Sequence, residues 1–116
     1  MKAKREHRVP LTVAARGLLG ERGEGGALVF PSPSDIARPL SDMTLAAALK
    51  RLKVDAVPHG FRSSFRDWAE EATDYPHAVK EAALAHAVRD KVEAAYRRTD
   101  LFEKRRELMD AWAAWA

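Results

Sequence analysis

The sequence predicts a mostly helical α+β fold, and three observations carry that expectation. Apolar residues recur at helical spacing along most of the chain, as at Leu45, Ala48, Leu49 and Leu52, and at Phe61, Phe65, Trp68, Ala69 and Ala72. Strand-like stretches are short and confined to the N-terminal part, at Lys2 to Thr12 and at Ala27-Leu28-Val29-Phe30. The chain has 116 residues, 47% of them apolar, with no internal repeat, which suits one compact domain with a modest core.

Taken in order, Lys2 to Thr12 reads as an extended segment ending in Val9-Pro10-Leu11, and a lone strand needs a partner. Thr12 caps a short helix over Val13 to Leu19 that stops near Gly20. Glu21 to Gly26, with three glycines, reads as a loop. It lacks the spacing and the following Lys-Ser/Thr of a phosphate loop. Pro31-Ser32-Pro33-Ser34 reads as a second loop, and Ser41 begins the helix that carries Leu45 to Leu52. Pro58 precedes a helix that starts near His59 and ends before Tyr75-Pro76. The next helix carries Val79, Ala82, Ala83 and Leu84; Val88 to Asp90 reads as a turn and Val92 to Tyr96 as a short helix or turn. A helical tail over 100–116 aligns Leu101, Leu108, Trp112 and Trp115 on one stripe. Its tryptophans pack either on the chain's own core or on a neighbouring protomer, with the intramolecular arrangement the simpler one.

Composition excludes several classes. There is no cysteine, so disulfides and thiolate metal sites are ruled out. No apolar run approaches the ~18 residues of a membrane span. The charged N-terminus lacks the apolar stretch of a secretory signal, so a cytoplasmic protein is expected. The net charge of +3, from 20 basic and 17 acidic residues, is too small to demonstrate nucleic-acid binding. Its distribution is more informative. Lys2, Lys4, Arg5 and Arg8 crowd the start, and Arg97, Arg98, Lys104, Arg105 and Arg106 form a second basic group. Either group also fits an ordinary solvated surface.

Four features bear chemistry. In His59-Gly60-Phe61-Arg62 the histidine and arginine lie three apart at a helix start, on neighbouring positions of one face. A guanidinium fork suits a phosphate, and an imidazole relays a proton near neutral pH. The same spacing also fits a capping histidine beside a surface arginine. His86 ends an apolar helix in Leu84-Ala85-His86, and Tyr96 follows ten residues later, ahead of Arg97-Arg98. That tyrosine also fits an exposed residue on a basic face. Lys2 heads the extended segment as a flexible ammonium and equally fits an ordinary surface lysine. The order Lys, apolar-Pro-Leu, His-x-x-Arg, Leu-x-His, Tyr separates the chemical reading from the plain ones.

In that order, and over nearly the whole chain, the sequence resembles the tyrosine recombinase family of phage and bacterial integrases. It is most similar to the prophage-type subgroup, through Lys91-Val92-Glu93-Ala94-Ala95-Tyr96-Arg97-Arg98-Thr99-Asp100-Leu101-Phe102-Glu103-Lys104-Arg105-Arg106, Leu40-Ser41-Asp42-Met43-Thr44-Leu45 and His59-Gly60-Phe61-Arg62. The resemblance implies the C-terminal portion of a catalytic core, 1–116, with short N-terminal strands and the 100–116 tail. It implies site-specific strand cleavage and rejoining in double-stranded DNA, during integration or excision of a mobile element. Tyr96 would be the nucleophile of a 3′-phosphotyrosyl intermediate, and Arg62 the second of two phosphate-clamping arginines. His59 would accept the tyrosine proton, His86 would hydrogen-bond a phosphate oxygen, and Lys2 would protonate the departing 5′-oxygen. Lys4, Arg5, Arg8, Arg97 and Arg98 are candidate phosphate contacts. Neither a metal nor another cofactor is implied. The parent protein would form a tetramer on paired DNA sites, in the bacterial cytoplasm and at the nucleoid when bound.

The family's first clamp arginine precedes the hairpin lysine. Nothing before Lys2 supplies it, and Arg16 and Arg38 both follow. The core-binding and arm-binding domains are also missing from the sequence. Activity is therefore expected of the full-length parent rather than of these 116 residues alone. Two other readings fit the same residues: a non-enzymatic helical DNA-binding module, and an inactive prophage integrase remnant.

Overall fold

The periodic apolar faces of the second half of the chain meet to make the core. The computed structural model describes residues 6–87 and 99–116. Among them, in order, are α1 (Val13–Leu19), β1 (Pro31–Ser32), β2 (Asp35–Pro39), α2 (Thr44–Arg51), α3 (Gly60–Ala72), α4 (His77–Ala83) and α5 (Phe102–Trp115). The mostly helical α+β class is as predicted. The turn expected at Val88 to Asp90 and the helix or turn expected at Val92 to Tyr96 lie outside the described residues.

The core consists of Phe65, Trp68 and Ala69 from α3, Val79 from α4, Leu84 after it, and Leu108 from α5. Leu108 has no exposed surface, and burying such a side chain stabilises the fold by about 1.5–3 kcal/mol. Trp112 meets Phe65 edge-on at 5.4 Å and lies 5.0 Å from Trp68, and Trp115 stacks on Trp112 at 5.2 Å. The tail thus packs on its own chain, and α3 and α5 share one aromatic cluster. Phe61, on the predicted α3 face, is exposed instead.

The caps read from sequence recur in part. The Thr12 hydroxyl accepts from the Ala15 amide at 3.1 Å, and Gly20 closes α1 at φ +72°. The Ser41 hydroxyl accepts from the Met43 amide at 3.3 Å, but this makes a turn and α2 begins only at Thr44. Neither α1 nor α2 buries a residue, so Leu45 and Leu52 stay exposed.

The strands fall elsewhere than expected. Ala27 to Phe30 has no strand, and the predicted loop at Pro31 to Ser34 supplies β1 and the turn into β2. The antiparallel pair aligns Pro31 with Pro39 and Ser32 with Asp35, with an irregularity between them. Side chains make that turn: the Ser32 and Ser34 hydroxyls are 3.0 Å apart, and Asp35 Oδ1 accepts from the Ala37 amide. Residues 6–12 carry no strand either. Among the contacts that hold them are the Thr12 cap, the Arg8–Asp100 ion pair at 2.7 Å and the Arg105 guanidinium, which donates to the Arg8 carbonyl.

Helix α4 ends in a way that matters for the site. The Ala85 amide donates to the Ala82 carbonyl at 3.1 Å and the His86 amide to the Glu81 carbonyl at 3.0 Å, the paired bonds of a Schellman cap. The motif puts Ala85 in the left-handed region at φ +57°, where a Cβ is strained. Replacing Ala85→Gly is expected to stabilise the chain by about 0.5–1 kcal/mol, the strain relieved less the added freedom of the unfolded glycine. A rise in the urea midpoint at unchanged slope checks this, and an unchanged or lower midpoint would contradict it.

Candidate phosphate-binding site

Pro58 and His59 form the turn that leads into α3, with His59 at its N-cap, and Arg62 follows on the first turn of the helix. The Arg62 guanidinium is half-buried and donates through Nη2 to the Leu84 carbonyl at the end of α4. Two residues beyond Leu84 stands His86. The Schellman reversal therefore carries the imidazole to the helix end that Arg62 binds. His59 is exposed, and its side chain makes no capping hydrogen bond to α3. The structure thus gathers the His-x-x-Arg and Leu-x-His motifs at one junction between α3 and α4.

A residue not singled out from the sequence organises this junction. Glu81, on the last turn of α4, takes His86 Nδ1 at 2.6 Å on Oε2 and the Arg66 guanidinium on Oε1. His77 Nε2 lies 4.0 Å from the same Oε1. Burial pushes the Glu81 carboxyl up, but the hydrogen bond from His86 and the charges of Arg66, His86 and His77 outweigh it and hold the carboxyl below the usual range. An ionised carboxylate only accepts hydrogen bonds, so the proton of that contact sits on His86 Nδ1 and Glu81 fixes the ring's orientation. The sequence signal was faint. A glutamate five residues before a histidine becomes its partner only when the helix ends between them and the chain folds back.

The network extends along α3. Arg66 also approaches Glu70 at 3.5 Å, and the nearly buried Lys80 reaches Glu70 at 3.4 Å. These pairs hold α4 against the polar side of α3 while Phe65, Trp68 and Ala69 hold its apolar side.

The other predicted residues fall apart from this junction or outside the described chain. Arg8 is half-exposed, donates to Asp100 Oδ2 at 3.0 and 2.7 Å, and lies over the Phe102 ring at 4.4 Å. The hydrogen bond from Arg8 leads in holding the Asp100 carboxyl below its ordinary range; slight burial opposes it, and the Arg8 charge, the Phe102 amide and the Arg105 charge add to it. Lys2, Lys4, Arg5, Tyr96, Arg97 and Arg98 lie outside the described residues. Among the described residues, no group of three or more His, Cys, Asp or Glu is placed to hold a metal ion. No described helix is long and apolar enough to cross a membrane.

No family model and no solved structure matches the chain. Curated sequences do. Prophage integrase IntA of Escherichia coli K12 is 38% identical over 118 residues, covering 97% of this chain and 28% of that protein. The integrase of Enterobacteria phage P4 is 33% identical over 121 residues, covering 97% of this chain and 28% of that protein. The integrase of Shigella phage Sf6 is 28% identical over 121 residues, covering 99% of this chain and 31% of that protein. The chain thus spans less than a third of the length of these relatives. With the motif order already traced, the chain is similar along nearly all of its length to part of several phage and prophage integrases.

Proposed function

We propose that the chain is the catalytic segment of a tyrosine-type site-specific recombinase acting on double-stranded DNA, with Tyr96 as nucleophile. The observation that carries the reading is the bond from Arg62 to the Leu84 carbonyl, two residues from His86. It brings two phosphate-seeking groups to one place, in an order that matches the integrase motif. A guanidinium has five N–H donors. With one committed to Leu84, others are available to the oxygens of a phosphodiester, and the bond to Leu84 aims the fork.

The chemistry follows from the groups. A tyrosine of ordinary pKa ~10 is a weak nucleophile at neutral pH. His59 takes the phenol proton as the Tyr96 oxygen attacks phosphorus, and the bond from phosphorus to the 5′-oxygen breaks. The 3′-phosphate becomes joined to Tyr96, and Lys2 gives a proton to the departing 5′-oxygen. Arg62 and His86 oppose the negative charge that gathers on the phosphoryl oxygens in the transition state. Attack by a 5′-hydroxyl on the phosphotyrosine reverses these bonds, so rejoining needs no nucleotide. Lys4, Arg5, Arg8, Arg97 and Arg98 add phosphate contacts, which makes binding salt-sensitive. The complete recombinase supplies the first clamp arginine and assembles as a tetramer on two sites, for integration or excision.

The test uses an integrase polypeptide that contains this segment with both clamp arginines, and a DNA site nicked so that the cleaved strand is lost. Wild type accumulates a covalent protein–DNA adduct. Tyr96→Phe forms none, yet holds DNA within about twofold of wild-type affinity, because the lost oxygen acts only in the transition state. An adduct that persists in Tyr96→Phe would overturn the assignment, and loss of DNA binding instead would favour a non-enzymatic binding module.

Glu81 yields a second expectation. Glu81→Gln loosens the orientation of His86 and lowers the adduct rate at saturating DNA by about tenfold, a part of the ~10²–10⁴ that positioned acid–base groups supply. It also changes acid stability, with a sign fixed by the depressed carboxyl. The folded-state value lies below the unfolded one, so the stabilisation is complete above the ordinary glutamate range and is lost as pH falls through the folded value. Urea midpoints between about pH 6 and pH 3 should therefore fall more steeply for wild type than for Glu81→Gln. Parallel midpoint curves would contradict the ion pairing seen at Glu81.

A further inference from the structure

We propose that Arg105 is a positioning residue that fastens the segment following Lys2 to the segment following Tyr96, and so sets where the lysine and the tyrosine are delivered. The inference rests on the recombinase reading for its chemical meaning and on described residues for its geometry.

Arg105 stands on the first turn of α5 with 1% of its surface exposed. A guanidinium is withdrawn from water at this depth only when its donors are met. Here Nε donates to the Asp100 carbonyl at 2.8 Å, Nη1 donates to the Arg8 carbonyl at 2.6 Å, and Nη2 lies 3.5 Å from Asp100 Oδ2. Neutralising Asp100 does not require Arg105, because Arg8 already holds that carboxylate at 2.7 Å. What Arg105 adds is a join between two backbone carbonyls that belong to opposite ends of the chain. The planar fork makes the join directional, which a lysine cannot reproduce.

The positions of the joined residues give the clamp its purpose. Asp100 lies four residues after Tyr96, and Arg8 lies six residues after Lys2. A polypeptide spans at most ~3.6 Å per residue, so four residues reach no further than about 14 Å and six no further than about 22 Å. A fixed anchor at each short tether confines the volume in which nucleophile and proton donor are found. Local backbone supports the anchor. Leu101 is left-handed at φ +56°, a strained state for a branched side chain, and it is held between Thr99 Oγ1, which accepts from its amide at 3.3 Å, and the Arg105 amide, which donates to its carbonyl at 2.9 Å. Asp100 Oδ1 also accepts from the Phe102 amide at 3.3 Å, a side-chain turn just ahead of α5 at the residue that receives both arginines. A misplacement of ~1 Å at reacting atoms lowers rate by about 10²-fold, so a loosened anchor acts on the chemical step and not on DNA affinity.

The experiment exploits the two tyrosines of the chain, Tyr75 and Tyr96. In a Tyr75→Phe background, incorporated 3-fluorotyrosine reports on Tyr96 alone by fluorine NMR. Arg105→Gln is expected to shift or sharpen that resonance, and Arg105→Lys to do so less. Leu108→Ala, a core truncation compared at equal folded fraction, should leave it unchanged. In the nicked-DNA assay Arg105→Gln should lower the adduct rate at saturating DNA by about tenfold or more, with the dissociation constant within about twofold of wild type. A Tyr96 resonance and saturating rate that match wild type in Arg105→Gln would overturn the inference, as would equal changes in Leu108→Ala. A resonance that responds to Arg105 in a protein that forms no adduct would uphold the clamp and sink the recombinase reading instead.

Discussion

The bond from the Arg62 guanidinium to the carbonyl of Leu84 joins the first turn of α3 to the last turn of α4. Helix ends leave carbonyls without intrahelical partners, and α4 meets that demand in two ways. Its Schellman cap satisfies the Glu81 and Ala82 carbonyls from within, and Arg62 takes the Leu84 carbonyl from without. The second solution depends on the first. Only because the chain reverses at Ala85 does His86 come back beside Glu81, on the helix end that Arg62 grips. A packing device and a candidate phosphate site therefore share the same atoms.

Around this bond the two faces of α3 have separate tasks. The apolar face carries Phe65, Trp68 and Ala69 into the cluster with Leu108 and Trp112. The polar face carries Arg62 and Arg66 to α4. The acidic partners Glu70 and Glu81 are each shared among several basic side chains, so no one contact dominates. Such sharing among partly exposed side chains fixes orientation more than it adds stability, since exposed pairs contribute about 0–1 kcal/mol each. The core that resists unfolding is the aromatic cluster. The ionic layer decides where the imidazole and the guanidinium point.

Much of this was legible in the residues. The 3.6-residue period from Phe65 to Ala72, the break at Tyr75-Pro76 and the tail stripe through Leu108 and Trp112 each found their predicted helix. Thr12 and Gly20 bounded α1 because a hydroxyl cap and a left-handed stop are local chemistry. The strands were not legible. β1 has two residues, too few for a period of two to appear, and its turn is made by serine and aspartate side chains that read as loop. The apolar rows of α1 and α2 were also misleading about burial, since a stripe announces that a face is apolar and says nothing of what covers it. At the site, the close spacing of His59 and Arg62 was visible, while the partners of Glu81 and Arg105 were not. Glu81 needs a helix end to reach His86. Arg105 meets a carbonyl 97 residues away, a separation at which sequence spacing carries no information.

The central claim is that Arg62 holds the end of α4 and thereby sets His86 beside it. NMR on uniformly labelled chain reads this directly, through nuclear Overhauser contacts from the Arg62 guanidinium protons to residues 84–86 and from the His86 ring to Glu81. The account predicts both sets of contacts in the unsubstituted chain, with the His86 proton on Nδ1 by its nitrogen shift. In Arg62→Met the contacts from residue 62 disappear and the signals of residues 84–86 shift together. An Arg62 side chain that shows no contact with the end of α4, with residues 84–86 unmoved by its replacement, would contradict the account.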